Sequence, residues 1–141
     1  MGLLTQFAIL GRYCRKLTHC GQRFIDYRGN SMSIQVVKVN KQQNNFTHYI
    51  GRRWAGLPES PFHNPFHEGK DGGRDEVLEK FAVYWYSSER LALRRTALVM
   101  IQDDDSLGCW CRSFPICQEL YCHGDIIKGY LEWKRAEPTL F

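Results

Sequence analysis

The chain has 141 residues and 16.5 kDa, with 43% hydrophobic and 24% charged side chains. That is ample for one hydrophobic core and too little for two, and the composition excludes a disordered or fibrous chain. The net charge of +4 hints at nucleic acid, but residues 1–34 hold five Arg/Lys against one Asp and residues 35–141 hold fourteen of each sign. A basic arm therefore precedes an electrically balanced body.

Within the arm, residues 3–16 carry Leu3, Leu4, Phe7 and Leu10 at helix-compatible spacing, with Arg12, Arg15 and Lys16 toward the far end. The apolar stretch comes before its charges, the reverse of a signal peptide. Gln6 stands where a myristoylation pattern places Ser or Thr. No run reaches the roughly eighteen apolar residues of a membrane span. Asn45-Phe46-Thr47 fits a glycosylation pattern that matters only in a secreted protein. Six Cys suit a disulfide scaffold, but nothing directs export and Cys109 and Cys111 are too close to bridge each other. A reduced, cytoplasmic setting is the expectation.

Residues 27–33 have linker composition, with Gly29, Asn30, Ser31 and Ser33. Residues 1–31 thus read as a basic N-terminal extension and residues 32–141 as a compact domain. Its first strand falls at 32–39, and a polar turn leads to a second at 46–50. A long loop over 51–71 is expected to be held by Trp54, Leu57, Phe62 and Phe66. Val77, Leu78, Phe81, Tyr84 and Trp85 recur at helical spacing over 75–85, with acids at the N-terminal end. A second helix opens at 87–90 and runs through Leu91, Leu93, Leu98 and Met100. Asp103, Asp104 and Asp105 read as a solvated turn in preference to a cation site. A strand over 107–111 delivers cysteine, and a helix over 125–133 aligns Ile126, Ile127, Tyr130 and Leu131. The order β-β-loop-α-α-β-α predicts a small single α/β or α+β domain, a short central sheet flanked by three helices.

The chemistry is concentrated late in the chain. Cys109, Cys111, Cys122 and His123 make a Cys₃His set suited to tetrahedral zinc, with Cys117 as a competing ligand. Adjacent residues such as Cys122 and His123 are not expected to reach one ion easily. A reduced cysteine pocket without metal, or a reactive thiol, remains open beside zinc. Gly124 and Asp125 precede the last helix, where free N–H groups hold an anion or Asp125 caps the helix. Earlier, Gly51-Arg52-Arg53-Trp54 joins phosphate-binding and stacking side chains, or Arg52 pairs with a body acid. Asn64, between His63 and His67, reads a ligand edge or fixes its loop.

The same residues carry a resemblance. Asn40, then Tyr49-Ile50-Gly51-Arg52, Asn64-Pro65-Phe66, Cys109-Trp110-Cys111 and Cys122-His123-Gly124-Asp125 follow one another in a recognisable order. Over residues 36–131 the chain resembles the uncharacterised family Domain of Unknown Function 4326, found largely in bacteria and their viruses. Phe62 and His63 stand where Trp and Gly are usual, the segment 112–121 is longer, and Cys117 is an addition. The resemblance implies a shared fold and pocket and brings no settled activity.

Two functions compete. In the first, the domain binds and hydrolyses a nucleotide-like or phosphorylated small molecule. Arg52 and the helix end at Gly124 would hold phosphate, Trp54 or Trp110 would stack, Asn64 would hydrogen-bond, and Asp125 or His123 would transfer a proton. In the alternative, zinc stabilises a non-catalytic module that binds nucleic acid or a protein partner through its basic arm. An inert phage accessory protein is a third reading.

Overall fold

In the computed structural model, residues 33–40, 42, 45–110 and 122–137 are described. The basic extension over 1–31, Cys111 and Cys117 lie outside the described residues. Strands β1 (Gln35–Lys38), β2 (His48–Tyr49) and β3 (Ser106–Cys109) form a parallel sheet in the order β1-β3-β2. Helix α1 (Arg74–Tyr86), a 3-10 turn (Ser88–Arg90) and helix α2 (Leu91–Met100) connect β2 to β3, and helix α3 (His123–Ala136) follows. The sheet flanked by three helices is the architecture expected from the sequence, with most boundaries moved by a few residues.

β3 occupies the centre because Leu107, Gly108 and Cys109 are all buried, which only a strand covered on both sides tolerates. The link from β1 to β2 passes over it at Gly108. A Cβ there would lie 2.6 Å from Phe46 Cγ, so the missing side chain makes room for the ring. Tyr49 is in register with Gly108, and its ring lies 6.0 Å from that of Phe46. Strand alternation turns Leu107 and Cys109 to the opposite face, where β1 meets α3. Ile34, Val36, Ile50, Leu107, Ile127 and Leu131 fill that side with the aromatics Phe81 and Trp85. Phe81 stacks on Trp85 at 6.0 Å, and Tyr130 meets Trp85 edge-on.

Helix α1 begins as the sequence suggests. Glu76 reaches back to accept from the Gly73 N–H at 2.6 Å, and Asp75 adds a second acid to the positive helix end. Its other end has no basic residue in the last turn. Arg94 of α2 fills that role, donating to the carbonyls of Trp85 and Ser87. Within α2, Arg94 and Ala97 are buried and Leu93 and Leu98 pack partly against the core, while Leu91, Val99 and Met100 are exposed. Orphan carbonyls at a helix end need a donor. Trp54 is a correction, since it is 62% exposed and does not anchor its loop. Phe62 and Phe66 do pack against the core.

At the amino edge of the sheet, His48 Nε2 and Asp105 Oδ2 lie 2.8 Å apart, and Asp105 also accepts from the Gln102 N–H. Asp103 pairs with Arg135 at 2.5 Å. Two of the three acids of this turn are therefore engaged in holding the fold. The Gln102 N–H, then His48, hold the Asp105 carboxyl below the usual aspartate range. A group with a depressed folded pKa stabilises above its unfolded value, and that contribution is lost as pH falls through the folded value. Thermal melts should therefore show a loss of stability on acidification below about pH 4 that is shallower in Asp105→Asn. Equal acid profiles for the two proteins would remove this role of Asp105.

Candidate metal centre

Two elements bring soft and borderline ligands to one spot at the carboxyl edge of the sheet. Cys109 is the last residue of β3, Cys122 is the N-cap of α3 and His123 is its first helical residue. Gly124 lets the helix end approach the sheet: a Cβ there would lie 2.8 Å from Ile50 Cδ1 and from Val36 Cγ1. All three candidate ligands are buried.

Cys109 Sγ, Cys122 Sγ and a ring nitrogen of His123 lie within 4.8 Å of one another. His123 Nδ1 is 3.6 Å from Cys109 Sγ and 3.7 Å from Cys122 Sγ. Tetrahedral zinc, with sulfur at about 2.3 Å and nitrogen at about 2.0 Å, sets its S and N ligands about 3.6 Å apart. The donor set fits zinc in type and spacing. This corrects the expectation that neighbours Cys122 and His123 cannot easily serve one ion. Cys122 is extended, at φ −145 and ψ 152, and the chain enters the helix at the next residue. That change of direction lets adjacent side chains converge.

The tautomer of His123 is set by its far nitrogen. Nε2 lies 2.8 Å from the Ile50 carbonyl oxygen, which only accepts, so Nε2 carries the proton and Nδ1 turns its lone pair toward the thiols. A metal-binding imidazole is typically oriented by such an outer partner. Phe81 covers the ring edge-on at 5.1 Å, keeping an apolar wall around it. The Gly124 N–H points at Cys122 Sγ at 3.3 Å, and the positive helix end favours a thiolate there. Asp125 Oδ2 accepts from the Cys122 N–H at 3.0 Å, so Asp125 caps the helix and fixes a ligand-bearing residue.

The backbone carbonyl of Ile50, directly before Gly51-Arg52-Arg53-Trp54, accepts from His123. Arg52 donates to the carbonyls of Asn64, at 2.9 Å, and Phe66, clasping the following loop. Asn64 Oδ1 accepts from the Phe66 N–H at 2.9 Å, a loop-fixing bond. Trp54 sits outside on an exposed turn, whereas Trp110, directly after Cys109, is half-buried with a buried indole N–H. Among the described residues that N–H has no partner. The Ile50 carbonyl and the Phe81 ring were invisible as site components in the sequence. Phe81 could have been suspected only from its place on the apolar stripe of α1, and a backbone carbonyl leaves no side-chain signal.

Fold and site together define a small parallel α/β domain with a buried Cys₂His cluster of a kind that could hold a metal ion. The chain belongs to the family described as Domain of unknown function (DUF4326), matched over residues 34–133, which confirms the resemblance read from its motifs. It is similar to "Uncharacterized protein R718" of Acanthamoeba polyphaga mimivirus, 28% identical over 109 residues, 65% of this chain and 75% of that protein. No solved structure matches the chain. All three candidate ligands fall inside the family-matched region.

Cys109→Ser, Cys122→Ser and His123→Ala should each abolish stoichiometric metal uptake in a competition titration with a chromophoric chelator. Asp125→Asn should keep uptake, because the Asn amide oxygen can still accept from the Cys122 N–H. Undiminished uptake in two of the three ligand variants would place the metal elsewhere.

Proposed function

We propose that the protein is a zinc-stabilised binding module without catalytic activity. The observation behind this reading is the Cys109, Cys122 and His123 cluster, with Nδ1 at tetrahedral-edge distance from both thiols and Nε2 tied to Ile50. Zinc there would staple the end of β3 to the start of α3, joining segments separated by residues 110–121. Bound zinc supplies a Lewis-acidic cross-link between thiolates and imidazole. Cys111 is our proposed fourth ligand, with Cys117 as its competitor. Reduced thiols suit a cytoplasmic setting, and among the described residues no helix is long and apolar enough to cross a membrane.

The partner-binding element in this proposal is the turn over 53–57. Trp54 and Leu57 are joined by reciprocal backbone bonds of 3.1 and 2.8 Å, with positive φ at Ala55 and Gly56. Two successive positive φ values mark the tight mirror-image turn that holds its flanks at fixed spacing. It presents an exposed indole beside exposed Arg53. An indole stacks on a nucleobase and a guanidinium holds phosphate, and the basic extension adds long-range attraction. Single-stranded nucleic acid is therefore the partner chemistry we favour.

Hydrolysis of a nucleotide-like or phosphorylated molecule draws less support. His123 is 3% exposed with both ring nitrogens engaged, Asp125 holds the Cys122 N–H, and Arg52 spans two carbonyls.

Purified protein should carry one zinc per chain by elemental analysis, and chelation should collapse its near-ultraviolet circular dichroism as folding energy is withdrawn. A metal-free protein that folds identically and ignores chelators would overturn the zinc reading. Fluorescence anisotropy with a single-stranded oligonucleotide should show salt-dependent binding, weakened about five- to a hundredfold in Trp54→Ala. Binding indifferent to both salt and Trp54, or no binding, would turn attention to a protein partner.

A further inference from the structure

Three successive carbonyl oxygens at the exit of β2 each accept a hydrogen bond. Ile50 O accepts from His123 Nε2 at 2.8 Å, Gly51 O from the Ser60 N–H at 3.0 Å, and Arg52 O from the Tyr49 hydroxyl. The Arg52 side chain continues the lacing to the carbonyls of Asn64 and Phe66. The Trp54 turn is suspended between residues 52 and 60, so these bonds form its base. Only the first of the three comes from a candidate metal ligand.

We infer that metal occupancy and the fixing of the Trp54 turn are energetically coupled, with His123 Nε2 and the Ile50 carbonyl as the joint between them. The inference rests on the zinc centre proposed above and deepens it by assigning a regulation to that site. A metal on Nδ1 would pin the ring between the thiols and the Ile50 carbonyl and draw electron density from it, making Nε2–H the better donor. Ile50 is fully buried, so water offers its carbonyl no easy replacement. Loading the metal therefore tightens the base of the turn. By thermodynamic reciprocity, fixing the turn strengthens metal binding by the same factor. Zinc would then act on partner binding through Trp54 without touching the partner.

Two variants of the full chain probe the joint without altering a ligand. Arg52→Gln removes the clasp to Asn64 and Phe66. Gly51→Ala drives a Cβ into the Tyr49 ring, 2.6 Å from its Cζ, and displaces the adjoining Ile50 carbonyl. In competition titrations both should bind zinc about fivefold or more weakly than the unaltered chain. Ile101→Val, a core change remote from this path, reports the loss of zinc affinity that lost stability alone produces, and the losses in Arg52→Gln and Gly51→Ala should exceed it. A second reading comes from amide hydrogen exchange of the unaltered chain. Zinc should slow exchange at the Leu57 and Ser60 amides beyond any slowing at Ile101, whose amide bonds within α2. Wild-type zinc affinity in Arg52→Gln, or equal slowing at all three amides, would overturn the coupling while leaving the zinc centre standing. A wild-type chain that takes up no zinc would overturn both.

Discussion

The imidazole of His123 lies between a backbone carbonyl and two thiols, and that placement constrains everything around it. Its Nε2–H satisfies Ile50, a buried carbonyl just past the end of an edge strand. Its Nδ1 faces the sulfurs that end β3 and cap α3. The parallel arrangement makes this meeting natural. All three strands run the same way, so their carboxyl ends and the N-terminus of the following helix gather at one edge, where open α/β sheets commonly place their sites. Room for the meeting depends on Gly124, where any larger residue would hold the helix off Ile50 and Val36.

Packing supports the same region from the other side. Phe81 covers the imidazole and stacks on Trp85, which continues the aromatic contacts to Tyr130 and Phe62. The carbonyl at residue 85 is in turn capped by Arg94. The described residues around the candidate centre are buried, an environment in which a metal–thiolate site is shielded and an unpaired polar group is costly. By contrast, Arg53 and Trp54 stand out in solvent on a turn of defined shape.

Much of this was legible from side-chain pattern. Strand and helix order followed from alternation and helical periodicity, and the clustering of Cys109, Cys122 and His123 in sequence pointed to the region where they converge. What stayed hidden has physical reasons. The reach of Cys122 and His123 to one point depends on the extended N-cap dihedrals, which sequence spacing does not encode. The role of Ile50 is played by its carbonyl, common to every residue. Arg52 looked like a phosphate ligand because a guanidinium prefers oxygen acceptors, and it found them in the carbonyls of Asn64 and Phe66. In α2 the leucines were visible in the sequence, but the burial of Arg94 was not, because it comes from carbonyls at the end of the preceding helix.

The most direct measurement is X-ray absorption at the zinc edge of protein purified without added metal. A mixed shell is expected, with two or more sulfurs near 2.3 Å and at least one imidazole nitrogen near about 2.0 Å. A shell of light oxygen or nitrogen atoms alone, or protein devoid of zinc, would contradict a Cys109, Cys122 and His123 centre.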